Sequence, residues 1–174
     1  DGDPSHELCV HARRADLLIV GKKHQSGESP LTSHATLQAI LHHAPRPVLC
    51  VPVGAQPWLP ILIAYDGSKP AARAVHSFAA SGLHADRPVH LLCCGERAAE
   101  VAEPCLEYLA AHGIQAEPLL TPGTPAEQIL HYADRLQAGL VVMGAYGHTR
   151  LHELFFGSTT ATVLQRTGVP LYLD

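Results

Sequence analysis

The run LVVMGAYGHTRLHELFFGSTT, residues Leu140–Thr160, decides how the chain is read. Leu140, Val141, Val142 and Met143 are consecutive apolar residues closed by Gly144, the pattern of a short strand buried on both faces. Two residues separate Gly144 from Gly147, nine separate Gly147 from Gly157, and Ser158, Thr159 and Thr160 lead into the helix-compatible segment ATVLQRT. Glycine lets a backbone approach a ligand closely, and the amides and hydroxyls of a new helix N-terminus suit phosphate. The same residues also compose a plain loop ending in a capped helix, because Ser and Thr cap helices in any context.

Upstream of this run, apolar and amphipathic segments alternate. Pro60–Tyr65 is a strand, after which Ser68 caps a helix with Pro70 in its first turn and Ala72, Val75 and Ala79 on one face. Val89–Cys94 is a second strand. Glu100–His112 is a helix bearing Val101, Leu106 and Leu109 and closed by Gly113, and Ala116–Leu120 is a third strand. Thr124 caps the helix PAEQILHYADRLQ, with Glu127 at the capping-box position. VPLYL, which bears Pro170, is the last strand. Apolar strands alternating with helices predict a parallel sheet with helices on both faces and right-handed crossovers.

The first 53 residues repeat the end of this pattern. Asp3 and Pro4 open a helix with Leu8, Ala12 and Ala15 as its stripe, Leu17–Val20 reads as a buried strand, Ser33 caps ATLQAILHH, and VLCVPV is a strand. The same spacing of 123 residues separates Gly21 from Gly144 and Pro47 from Pro170. In this first unit His24 stands where Gly147 would be, His34 where Gly157 would be, and Ala35 where Ser158 would be, so the glycine and hydroxyl pattern is lost. GAQPWLP, rich in Pro and Gly, reads as a linker. The expected division is a partial unit over 1–53, a linker over 54–59 and a complete unit over 60–174. A partial unit implies that the chain is a C-terminal piece of a longer tandem protein, or is numbered from within one.

Gly-x2-Gly-x9-Gly-Ser, the strand ILIAYDGS ending in Asp66, the Gly123–Pro125 helix start and the terminal strand together resemble the universal stress protein family. The resemblance implies an open parallel five-stranded sheet of order 3-2-1-4-5 with helices on both faces, plus a partial repeat of the same unit at the N-terminus. Strands one and four are neighbours in that order, so Asp66 and Gly144 meet at the switch point where such sheets bind ligands. It also implies an adenine nucleotide as ligand: ATP, or ADP or AMP, accompanied by Mg. Tyr65 and Asp66 would then hold adenine or ribose, and Cys94 and Gly95 would line the base. Met143, Gly144, Gly147 and His148 would pass under the ribose and first phosphates, and Gly157, Ser158, Thr159 and Thr160 would bind the phosphate tail. On its own terms a carboxylate at a strand end suits a base amine or sugar hydroxyl, although Asp66-Gly67 is equally an ordinary turn. In the family the last strands meet across a dimer or pseudo-dimer, so Val48–Val53 is expected beside Val169–Leu173, within the chain or from another subunit.

Composition narrows the alternatives. Sixteen acidic residues against twelve basic give a net charge of −4, and no Lys/Arg block exceeds two residues, which is not the footprint of a nucleic-acid binder. No apolar run reaches the roughly 18 residues of a membrane span; no membrane association is expected, and the cytoplasm is the expected location. The five cysteines, Cys9, Cys50, Cys93, Cys94 and Cys105, include no C-x-x-C pair and read as reduced core thiols. His148 and His152 lack a further ligand at metal-site spacing, so no metal site is read. Phe155 and Phe156 read as packing residues, and Arg150 is either a phosphate neighbour or a solvated side chain. No Walker lysine precedes Gly157-Ser158, and Tyr65-Asp66-Gly67-Ser68-Lys69 is not the Ser-Gly-Gly-x-Asp-Ser loop of ATP-using enzymes on comparable sheets. Three functions stay open: a nucleotide-binding stress-response regulator without catalytic residues, an interaction module with an empty pocket, and a slow ATPase.

Overall fold

The computed structural model describes residues 3–22, 34–56, 60–145 and 157–174, with side chains from residue 36 in the second range. His24, Ser33, Gly147, His148, Arg150, His152, Phe155 and Phe156, and the side chains of His34 and Ala35, lie outside the described residues. The elements in order are α1 (Pro4–Ala12), β1 (Leu18–Lys22), α2 (His34–His43), β2 (Val48–Pro52), β3 (Ile61–Ala64), α3 (Lys69–Ser81) and β4 (Val89–Cys94). They continue as α4 (Ala98–Ala111), β5 (Ala116–Thr121), α5 (Pro125–Arg135), β6 (Leu140–Met143), α6 (Ser158–Arg166) and β7 (Leu171–Leu173).

All seven strands form one sheet in the order β1-β2-β7-β6-β3-β4-β5. The strands from residue 61 onward are mutually parallel, but β2 joins β7 antiparallel, with Val48 opposite Leu173 and Cys50 opposite Leu171. The separate five-stranded parallel sheet expected from the sequence is therefore corrected to a seven-stranded mixed sheet. The reason is physical. An apolar β7 with an open edge is a pairing hazard, and β2, equally apolar, covers it inside the same chain. The registers also repeat: Leu18, Ile19 and Val20 face Val48, Leu49 and Cys50, while Val141, Val142 and Met143, each 123 residues further on, face Leu171, Tyr172 and Leu173.

Two cores flank the sheet. One gathers Ile40, Leu62, Val141, Val163 and Leu171; the other gathers Ile61, Phe78, Leu91, Val142 and Tyr172. β6 is buried at all four positions, as its unbroken apolar run predicts. The Ser68 cap and its proline form as read, with the Ala71 amide donating to Ser68 Oγ at 3.3 Å. The buried face of α3 is Ala71, Ala74, Val75, Phe78 and Ala79, so Ala72, which was expected on it, is replaced by its neighbours. Helix α4 starts two residues earlier than read and buries Ala102, Cys105 and Leu109.

Two local expectations are corrected. Leu17–Val20 is not a strand buried on both faces: β1 is an edge, and Ile19 is 63 % exposed. β5 is the opposite edge, with Glu117, Pro118 and Leu120 exposed, which is where a strand proline is tolerated. The Thr124–Glu127 capping box does not form: Thr124 stands at the N-cap of α5 without a side-chain bond. The Glu127 carboxylate instead accepts from Arg166 on α6 at 2.6 Å. Both partners are well exposed, so Glu127→Gln should cost less than about 1 kcal/mol, and the loss should vanish in high salt. Urea denaturation at two salt concentrations measures it. No helix among the described residues is long and apolar enough to cross a membrane.

Candidate functional site

At the carboxyl ends of β3, β4 and β6 the sheet opens into a cavity of about 290 Å³. Its walls come from the residues that follow those strands and from the amino ends of three helices: Ser68, Pro70 and Ala71 of α3, Pro125 and Ile129 of α5, and Gly157 to Thr160 at α6. β3 and β6 lie side by side, while α3 packs with the core that holds Phe78 and α5 and α6 with the other. The chain thus departs from adjacent strands to opposite faces, which leaves the crevice.

Nine of the twelve residues expected in the site line this cavity: Tyr65, Asp66, Cys94, Met143, Gly144, Gly157, Ser158, Thr159 and Thr160. Gly95 lies off the lining; its φ is +105°, and its amide donates to the Thr121 carbonyl at 3.0 Å. Gly147 and His148 lie outside the described residues. Ala64, Ser68, Pro70, Ala71, Leu92, Pro125 and Ile129 line the cavity without having been singled out as site residues. Two signals for them were present, the Ser68 cap and the Gly123–Pro125 helix start. That three helix starts converge is a tertiary fact that neither signal carries.

Asp66 is exposed, and its Oδ1 accepts from the Ser68 amide at 2.9 Å. This side-chain turn holds the carboxylate at the rim and joins β3 to the cap of α3. Gly157 is the N-cap of α6 with φ −52° and ψ 141°, and no side chain caps the helix. The first amides of a helix have no carbonyl partner within it, so those of Ser158, Thr159 and Thr160 begin α6 beside the cavity as donors on the positive end of its dipole. The Thr160 hydroxyl is already used, since it is buried and donates to the Gly144 carbonyl at 3.3 Å. It fastens the start of α6 to the end of β6. Thr160→Val should cost about 1 kcal/mol in urea denaturation, the ordinary worth of such a bond, while keeping the helix amides in place.

Gly144 has a different cause from the one read in the sequence. A Cβ there would lie 2.7 Å from the Ala71 nitrogen and 2.7 Å from the Pro70 carbonyl carbon. The glycine admits the first turn of α3 against the end of β6, and thereby shapes one wall of the cavity.

The titratable groups among the described lining residues are Tyr65, Asp66 and Cys94. Burial pushes the Tyr65 phenol and the Cys94 thiol up, so both stay protonated near neutral pH. Cys50 and Cys93 are pushed up to about 12 and Cys105 to about 11, again by burial. All five cysteines are free thiols. Among the described residues no group of three His, Cys, Asp or Glu side chains is placed to hold a metal. The described lining therefore offers one carboxylate, helix amides, small hydroxyls and an apolar floor of Leu92, Ile129 and Met143. Such a set suits a ligand with a flat apolar body, hydroxyl or amine donors and an anionic tail.

The universal stress protein family matches residues 1–52 and 95–173. A universal stress protein of Synechocystis is 32 % identical over 166 residues, covering 90 % of this chain and 56 % of its own. One from Thermus aquaticus is 36 % identical over 132 residues, covering 65 % of this chain and 96 % of its own. Among solved structures, a universal stress protein from Archaeoglobus fulgidus superimposes over 99 % of this chain and 66 % of its own, with TM-score 0.81 and 24 % identity. A universal stress protein in complex with cAMP superimposes over 66 % of this chain and 94 % of its own, with TM-score 0.57 and 19 % identity. At these identities the solved structures speak for the fold. The chain spans only about half the length of the Synechocystis protein, 56 %.

Proposed function

The chain belongs to the universal stress protein family, and from that premise we propose that it is an adenine-nucleotide-binding regulatory module. Its ligand is ATP, ADP or AMP, with Mg accompanying the phosphates. The observation that carries this reading is the amino end of α6 opening on the cavity beside Asp66. The phosphate tail lies against the amides of Ser158 to Thr160, the ribose or base amine meets Asp66, and the base rests on Leu92 and Ile129. That a relative of the same fold was solved with cAMP supports a nucleotide as the class of ligand. On this reading the protein acts by binding, and hydrolysis is at most slow. Mass spectrometry of small molecules released from purified, denatured protein should give an adenine nucleotide. A bound ligand without a phosphate, or none even after incubation with ATP, would refute the reading.

We further infer a tandem organisation, with 1–53 as the C-terminal part of a unit whose nucleotide loop has degenerated, 54–59 as linker and 60–174 as the nucleotide-binding unit. The registers that recur at an interval of 123 residues support it, as does β2 meeting β7 in an antiparallel pair, the relation of two like units about a local two-fold axis. An intrachain pseudo-dimer is thus favoured over a homo-oligomer joined through the last strands.

A further inference from the structure

One contact crosses between the two repeats at the far end of the ligand-facing helix. Lys22, the last residue of β1, donates from Nζ to the Thr167 carbonyl at 2.9 Å, across 145 residues of sequence. Thr167 is the C-cap of α6 and is itself buried. Its carbonyl is among the acceptors that a helix end leaves without an internal partner. A cation there also complements the negative end of the helix dipole.

The repeat makes the position unusual. Lys22 follows Gly21 as Ala145 follows Gly144. In the second unit that place is held by a buried alanine whose amide donates to Asp174, and it reaches no helix end with a side chain. In the first unit, whose glycines and hydroxyl are lost, a lysine reaches across the β2–β7 junction to the helix of the other unit. Helix α6 has nine residues, about 13 Å at the usual rise, so its two ends move as one rigid piece.

We propose that Lys22 is a positioning residue for the nucleotide site: its ammonium, held on the Thr167 carbonyl, fixes the helix whose amino end meets the ligand. The proposal rests on the reading that the α6 amides bind phosphate. An anion at one end of α6 and the Lys22 cation at the other then favour the same placement of the helix, so each strengthens the other.

Lys22→Met and Lys22→Arg test it, with ATP titrated by calorimetry and amide exchange followed in the free proteins at Ala161 to Leu164, the hydrogen-bonded amides of α6. The methionine variant should bind ATP about fivefold more weakly and exchange those amides faster; arginine, which keeps the cation, should restore both. Wild-type affinity and wild-type exchange in the methionine variant would overturn the proposal. If the wild-type chain bound no nucleotide, the functional reading would fall. The exchange rates would still decide on Lys22, faster exchange supporting its role and unchanged exchange refuting it. Should the methionine variant not fold, wild-type protein decides: ATP should slow acylation of Lys22 by acetic anhydride about fivefold, and an unchanged rate refutes the coupling.

Discussion

Gly144→Val is expected to lower stability by about 3 kcal/mol, at the upper end of what overpacking usually costs, and to spoil ligand binding with it. The new Cβ would lie 2.7 Å from the Ala71 nitrogen and 2.9 Å from Pro70 Cβ. The atoms it meets belong to backbone and a proline ring, and no rotamer change relieves them. Either the end of β6 or the first turn of α3 must shift, and Pro70 and Ala71 line the cavity. The repeat supplies an internal control. Gly21 occupies the matching position on β1, and a Cβ there would have nothing within 4 Å among the described residues. Gly21→Val should stay within about 0.5 kcal/mol of wild type. Equal urea midpoints for the two variants would show that the close approach at Gly144 carries no weight.

Gly157→Val is expected to separate binding from folding. The N-cap conformation, φ −52° and ψ 141°, is open to any residue, so a valine there costs at most about 1 kcal/mol of stability as a poorer cap. Its branched side chain, however, would stand in the cavity that Gly157 lines, at the place where phosphate must reach the α6 amides. Affinity for ATP should fall at least tenfold, about 1.4 kcal/mol. Calorimetry on the folded variant measures this, and an unchanged affinity would move the phosphates elsewhere.

What the sequence reveals here follows the range of the forces involved. Val89–Cys94 and Leu140–Met143 were read with the strand bounds the structure has, because burial on both faces leaves an uninterrupted apolar run. Ser68 with Pro70 was equally legible, since a cap and a first-turn proline are chemistry between near neighbours. Thr124 with Glu127 has the same local pattern, yet Glu127 turned to Arg166, 39 residues away. Local spacing does not know of a cation on the next helix. β1 was misread for a related reason: Leu17–Val20 has the composition of a central strand, but position in a sheet, not composition, decides whether Ile19 is covered. Gly144 was read as a glycine that ends the strand and lets the backbone approach a ligand; what presses on it is the first turn of α3, which was invisible until the chain was folded.

The claim on which the rest depends is that this chain carries one nucleotide site, in the cavity between Asp66 and α6, and none in residues 1–53. In the first unit His24, His34 and Ala35 replace the glycines and the hydroxyl that a phosphate requires. Calorimetric titration of the 174-residue chain with ATP and Mg measures the number of sites directly. One nucleotide per chain is the predicted result, with that binding weakened by Gly157→Val; two sites, or none, would contradict the account.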